Sequence, residues 1–268
     1  PTYLIESATS LKVISQMAVG YDNIDIAAAT AKMIPVGHTP GVLTDTTADF
    51  TWALLMTASR RLLEADRFTR SGLWKTWEPD FLLGANITGA TLGIIGFGRI
   101  GQAIARRAQG FDMKILYTCK NRSDLHLENT LGVDFVSLER LLEESDFVTI
   151  HTPLSQDTYH LFSDRQFELM KPSAILINTA RGGIVDAKAL YRALSQGKIA
   201  GAALDVTEPE PIPSDSPLLT LDNLIITPHI ASASRQTREK MANMAVENLI
   251  AGLKGDRLPY CVNPEVYH

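Results

Sequence analysis

Three side chains of complementary chemistry lie just past apolar, β-rich runs. Arg181 sits in LINTARGG, Glu210 in ALDVTEPEP (which also holds Asp205), and His229 in IITPHIASAS. A guanidinium grips a carboxylate with two parallel hydrogen bonds. An imidazole held by a carboxylate gives and takes protons near neutral pH. Together they suit a reaction on a small carboxylic acid in which a proton moves. Taken singly, each also has a plainer role: Arg181 in an ordinary salt bridge, Glu210 as a loop carboxylate, His229 as a hydrogen-bonded core residue.

The elements that must position them begin near residue 90. Short β-rich runs at Thr91–Gly96, Met113–Thr118, Phe147–His151, Ala174–Thr179, Gly201–Val206 and Leu224–Thr227 alternate with helical segments. The helices are expected at Gly101–Gln109, Leu138–Glu144, Asp164–Met170 and Asp186–Gln196. This alternation predicts the α/β class, with a doubly wound parallel sheet of six strands covered on both faces. In such a sheet ligands bind beyond the carboxyl ends of the strands, where all three side chains fall. Upstream, Thr44 and Asp45 cap one long helix reaching about Arg70, whose apolar early part should be buried. The first 40 residues hold a strand at Lys12–Gln16, and an amphipathic helix runs from about Ser234 to Leu253.

LGIIGFGRIG places Gly96, Gly98 and Gly101 in G-x-G-x-x-G spacing, with Arg99 and Ile100 between them. The motif follows a strand and opens a helix, the setting a dinucleotide site requires. The tight turn, the close approach to a pyrophosphate and the helix–strand contact each ask for a glycine, and the helix end faces the phosphates. In the next strand, MKILYTCKNRSD, an acid that would bond the adenosine ribose is missing. Cys119 occupies its place, and Lys120 and Arg122 follow. Cations where an acid is absent favour a 2′-phosphate, so NADP(H) is expected in preference to NAD(H).

Composition sets outer bounds. The 268-residue chain is 45% apolar and 21% charged, with a net charge of −5. That balance gives no reason to expect a nucleic acid or an anionic membrane as partner. No apolar run approaches the ~18 residues that would suggest a span. The two cysteines, Cys119 and Cys261, have no metal-ligand spacing, so no metal is expected and a reducing cytoplasm is the default. The chain begins with Pro1, and no signal peptide is expected from its opening residues.

The motifs VGYDNID, TPGVLTDTTADFTWALL, GIIGFGRIGQAIARR, INTARGGIVD, GAALDVTEPEP and PLLTLDNLIITPHIASAS together resemble the D-2-hydroxyacid dehydrogenase family, closest to its glyoxylate/hydroxypyruvate reductase branch. The resemblance implies a catalytic set of Arg181, Glu210 and His229, with family spacing selecting Glu210 over Glu208. It also implies that backbone amides at Val19 and Gly20 hold the substrate carboxylate. Thr152 and Pro153 would flank the adenosine, and Thr179, Ala180 and Asp205 the nicotinamide. A Rossmann-type nucleotide domain over residues 41–231 would join a smaller flavodoxin-like substrate domain made of 1–40 and 232–268. That smaller domain is expected to be incomplete at its front. A homodimer through the 45–70 helix is implied, with Trp74 or Trp77 reaching the neighbouring subunit or simply packing. His38, His151 and His160 read as structural. The competing readings are a non-catalytic dinucleotide-binding scaffold of the same fold and a phosphite dehydrogenase. A formate enzyme is disfavoured because it would pair its histidine with glutamine.

Overall fold

Runs of β-branched and other apolar residues, punctuated by capped helices, set the order of elements. The computed structural model describes residues 2–268. They form two units: the residues up to Thr46 with Ser232–His268, and Thr47–Ala231. The chain opens with α1 (Thr2–Ser7), β1 (Ile14–Ser15), α2 (Ile26–Ala31) and β2 (Val36–Gly37). Next come α3 (Thr44–Ser59), α4 (Leu62–Arg70), β3 (Thr91–Ile95), α5 (Arg99–Ala108), β4 (Lys114–Thr118), α6 (Leu125–Leu131) and β5 (Val133–Phe135). They are followed by α7 (Leu138–Glu144), β6 (Phe147–Ile150), α8 (Asp164–Leu169), β7 (Ile175–Asn178), α9 (Ala187–Ser195), β8 (Gly201–Leu204) and β9 (Leu224–Ile226). Finally α10 (Arg235–Lys254) belongs to the first unit.

The second unit holds one parallel sheet in the order β5-β4-β3-β6-β7-β8-β9. Side chains alternate across it. Leu92, Ile94, Ile115, Tyr117, Ile175 and Ile177 pack with α3 and α5 on one face. Ile95, Leu116, Val148, Ile150 and Leu176 pack with α7, α8 and α9 on the other. Burying both faces of every central strand is what produces the near-continuous apolar runs seen in the sequence. Strand order reverses between β3 and β6, which opens a crevice at their carboxyl ends.

The sheet has seven strands rather than the six expected. The extra one, β5, is a three-residue edge strand with two exposed residues, so Val133 alone carries a buried apolar signal. The helix expected from Thr44 to Arg70 is two. Arg61 adopts a left-handed backbone (φ 51°) between α3 and α4. The Ser59 carbonyl accepts from the Ala85 N–H at 2.9 Å, and a Cβ on Gly84 would lie 2.2 Å from that oxygen. The returning chain at 84–85 thus takes the carbonyl that a continuous helix would use. In the first unit, β1 and β2 pair in parallel, so the strand at 12–16 is shorter than expected.

Candidate active site

The glycine turn lies at the strand-order reversal. Gly96, the first residue past β3, has φ 91°, and a Cβ there would sit 2.6 Å from the His151 carbonyl just past β6. A Cβ on Gly101 would fall 2.3 Å from the Gly96 oxygen, so α5 packs against the turn as closely as a side-chain-free residue permits. Gly98, the N-cap of α5, has no heavy atom within 4 Å of its Cβ position. The space a pyrophosphate would need is open there, beside the positive end of a ten-residue helix carrying Arg99 and Ile100 in its first turn. The residues present therefore fit a dinucleotide. His151 is part-buried, its Nε2 lies 2.8 Å from the Thr149 hydroxyl, and desolvation pushes its pKa down to about 3. It is neutral at physiological pH. Thr152 and Pro153 follow it, and the Pro153 carbonyl accepts from the Thr158 hydroxyl at 2.7 Å.

One strand over, Cys119 is the first residue beyond β4. Its thiol donates to the Asn121 carbonyl at 2.8 Å, and burial pushes its pKa up, so it stays protonated. Lys120 is almost fully exposed, 3.9 Å from Asp157. Arg122 is not a loosely solvated cation. Its Nε and Nη2 donate to the two Glu128 oxygens at 2.8 and 2.7 Å, and its guanidinium lies over the Phe135 ring. Glu128 is buried on the inner face of α6 and also accepts from the Tyr117 hydroxyl at 2.5 Å. These donors hold the Glu128 pKa down at about 2. Of the two cations that follow Cys119, one guanidinium is thus fixed in place by a buried acid.

The three chemistry-bearing residues emerge from the carboxyl ends of adjacent strands β7, β8 and β9. Asn178 shapes the first exit. It is fully buried, donates to the Arg181 carbonyl at 2.8 Å and accepts from the Ala180 N–H at 3.0 Å. The Arg181 Nη1 donates to the Ala180 carbonyl at 2.8 Å. Thr179 is buried and shares a hydroxyl contact of 2.9 Å with Thr51 of α3. At the third exit His229 takes a left-handed backbone (φ 54°), its N–H donating to the Asp205 carbonyl at 2.9 Å. Its Nδ1 lies 2.6 Å from Glu210 Oε1, with both side chains a little under half exposed. Nε2 is then the ring atom left to exchange a proton with a ligand. Asp205 does more than neighbour a cofactor. Its carboxylate, 1% exposed, accepts from the Thr227 hydroxyl and from the Ile230 and Ala231 N–H groups at 2.6 to 2.8 Å. It anchors the turn that presents His229.

Val19 and Gly20 belong to the first unit. Their carbonyls are held by His38 Nδ1 at 3.1 Å and Gln16 Nε2 at 2.7 Å.

Residues 52–231 match the family model described as D-isomer specific 2-hydroxyacid dehydrogenase, NAD binding domain. The chain belongs to the D-isomer specific 2-hydroxyacid dehydrogenase family. It is similar to a glyoxylate reductase of Korarchaeum cryptofilum, 56% identical over 264 residues that make up 98% of this chain and 79% of that protein. A Thermus thermophilus protein of known structure superposes with a TM-score of 0.90 at 49% identity, covering 97% of this chain and 82% of that one. A glyoxylate/hydroxypyruvate reductase of Sinorhizobium meliloti, NADPH-dependent and solved with NADP and malonate, gives 0.88 at 34%, over 98% and 81%. The protein is an NAD(P)-dependent dehydrogenase that interconverts 2-oxo and 2-hydroxy acids.

Within this dehydrogenase, spacing alone does not point to Asn178, Thr227 or Glu128. Asn178 and Thr227 act through local bonds to the chain beside Arg181 and His229. The signal that marks Glu128 is its place on the buried face of α6, one residue after Leu127 and three before Leu131.

Proposed function

We propose that this dehydrogenase reduces a short 2-oxo acid, glyoxylate or hydroxypyruvate, with NADPH preferred over NADH. The observation that carries the reading is the 2.6 Å pairing of His229 with Glu210, one strand exit from Arg181. Arg181 binds the substrate carboxylate and polarises the adjacent carbonyl, which orients the acceptor and stabilises developing negative charge. His229, protonated and braced through Nδ1 by Glu210, delivers a proton from Nε2 to the nascent alkoxide. Gly96, Gly98, Arg99, Ile100 and Gly101 hold the pyrophosphate, Thr152 and Pro153 the adenosine side, and Thr179, Ala180 and Asp205 the nicotinamide side. The bound dinucleotide supplies the hydride. Cys119 offers no charge to repel a 2′-phosphate, and Arg122 offers a pre-positioned one to attract it. The NADPH-dependent relative supports the same preference.

Crossing NADPH and NADH with glyoxylate, hydroxypyruvate and pyruvate tests this. Glyoxylate or hydroxypyruvate with NADPH is expected to give the highest kcat/KM. His229→Ala should lower kcat by at least ~10²-fold while NADPH still binds. A near-wild-type His229→Ala, or a clear NADH preference, overturns the respective assignment. Dinucleotide binding without turnover on any 2-oxo acid would instead favour a scaffold.

We also place this protein in a homodimer. The apolar side of α3 is occupied by its own core, since Ala48, Trp52, Leu54 and Leu55 pack against the sheet. The surface left for a second copy is α4 and the stretch after it, where Leu62, Leu63, Leu73, Trp74 and Trp77 are exposed, Trp77 to 78%. A cleft of about 650 Å³ lies beside α4. Light scattering on the purified chain reads the stoichiometry. Among the described residues no helix is long and apolar enough to cross a membrane, and free Cys119 and Cys261 suit a reducing cytoplasm.

A further inference from the structure

The segment Thr207–Pro211 carries a second glutamate, and that glutamate holds a second histidine. Glu208 Oε2 lies 2.7 Å from His160 Nε2. His160, like His229, has a left-handed backbone (φ 50°), uncommon outside glycine. Its ring stacks on Tyr159 with centroids 3.9 Å apart. Its N–H donates to the Gly183 carbonyl at 2.8 Å, two residues past Arg181. Phe162 continues the contact by donating to the Ile184 carbonyl at 3.0 Å.

The same residue thus touches both strand exits that flank the proposed chemistry. Its backbone ties the chain just after Arg181, and its ring ties the chain two residues before Glu210. The two exits also press on each other. A Cβ on Gly182 would fall 1.9 Å from the Thr207 carbonyl, and one on Gly183 would lie 3.3 Å from Glu208 Oε1. Prolines at 209 and 211 fix φ on either side of Glu210. A tether at Glu208 is therefore transmitted to Glu210 with little slack. By contrast, the loop's own hold on the Glu210 carboxylate is weak, since the Thr207 N–H reaches it only at 3.4 Å. The side chains of His160 and Glu208 are each about one-third exposed, and a polar contact that wet contributes little to stability. What this one controls is placement.

We infer that His160 and Glu208 form a positioning latch that holds Glu210 against His229 and fixes its register with the Arg181 segment. Neither residue touches substrate in this role, and the inference rests on the catalytic reading of His229 given above. Groups of this kind set the geometry of the reacting ones, and a misplacement of about 1 Å costs up to roughly 100-fold in rate.

The test uses the full chain. His160→Ala is expected to lower kcat for glyoxylate reduction roughly tenfold, with KM for NADPH within about twofold and Tm little changed. His160→Gln returns an N–H donor near the Nε2 position and should restore kcat to within about threefold of wild type. Amide hydrogen exchange of the peptide spanning Thr207–Glu210 reads the latch without turnover: it should quicken in His160→Ala and recover in His160→Gln. Glu208→Ala approaches the same bond from the other side, and combining it with His160→Ala should cost no more than either alone. Unchanged kcat and exchange in His160→Ala would overturn the latch. So would kcat and Tm falling together in both His160 variants, since that marks plain structural damage. His229→Ala, run alongside, separates the two claims. If it stays active, the catalytic reading has failed. If it is inactive while His160→Ala matches wild type, only the latch has failed.

Discussion

Replacing Arg122 by glutamine isolates the basis of coenzyme choice. The guanidinium has five N–H donors. Glu128 takes Nε and one hydrogen of Nη2, and the Tyr117 hydroxyl lies close to the same group. The remaining donors are the ones a 2′-phosphate would use if Cys119 marks the ribose. Two features keep the expected effect modest. The Arg122 side chain is 53% exposed, and Glu128 already offsets much of its charge. A screened, partly neutralised cation contributes at the low end for a charge-assisted contact, so kcat/KM for NADPH should fall roughly tenfold. Arg122→Gln also frees Glu128 and loosens α6, which affects both coenzymes alike. The ratio of kcat/KM for NADPH to that for NADH is therefore the quantity to measure, between low and moderate salt. It should fall roughly tenfold, and the wild-type ratio itself should decline as salt screens the contact. Lys120→Ala, at 88% side-chain exposure, should move the ratio less than about threefold. An Arg122→Gln variant whose ratio matches wild type would refute the reasoning, even if its overall activity were lower.

Asp205→Asn should destabilise the fold by about 1–3 kcal/mol, because an amide cannot accept from a hydroxyl and two backbone N–H groups as the carboxylate does. It should also lower kcat, since those bonds present His229, and urea titration with steady-state rates checks both. Acid stability carries a defined sign. The pKa values of Glu128 and Glu144 are held at about 2, below an ordinary 4.5, chiefly by Arg122 and Arg140. Their contribution is complete above about pH 4.5 and fades as pH falls through about 2. The urea midpoint should drop over that window, with a shallower slope in Glu128→Gln.

Much of the nucleotide-binding unit is legible from sequence because its signals are local. Strands buried on both faces become short apolar runs, and Gly96 and Gly101 stand where a Cβ would strike backbone 2.6 and 2.3 Å away. Six strands and helices α5, α7, α8 and α9 follow from such patterns. The edge strand β5 and the helix α6 do not: only Val133 of β5 is buried, and one of the two residues that α6 buries is the charged Glu128. The break at Arg61 was equally hidden, since it is made by residues 84–85 returning to Ser59.

Sequence by itself determined which chemistry was on offer: an arginine, two glutamates and a histidine just past strand ends, a glycine turn, and no acid where the ribose is expected. Tertiary structure decided which of these groups meet. It paired Glu210 with His229 and Glu208 with His160, spent the Asp205 carboxylate on a turn, and fixed Arg122 against a buried Glu128. The histidine and Asp205 pairings join positions 19 to 48 apart in the chain, and no local pattern records a distance of that kind.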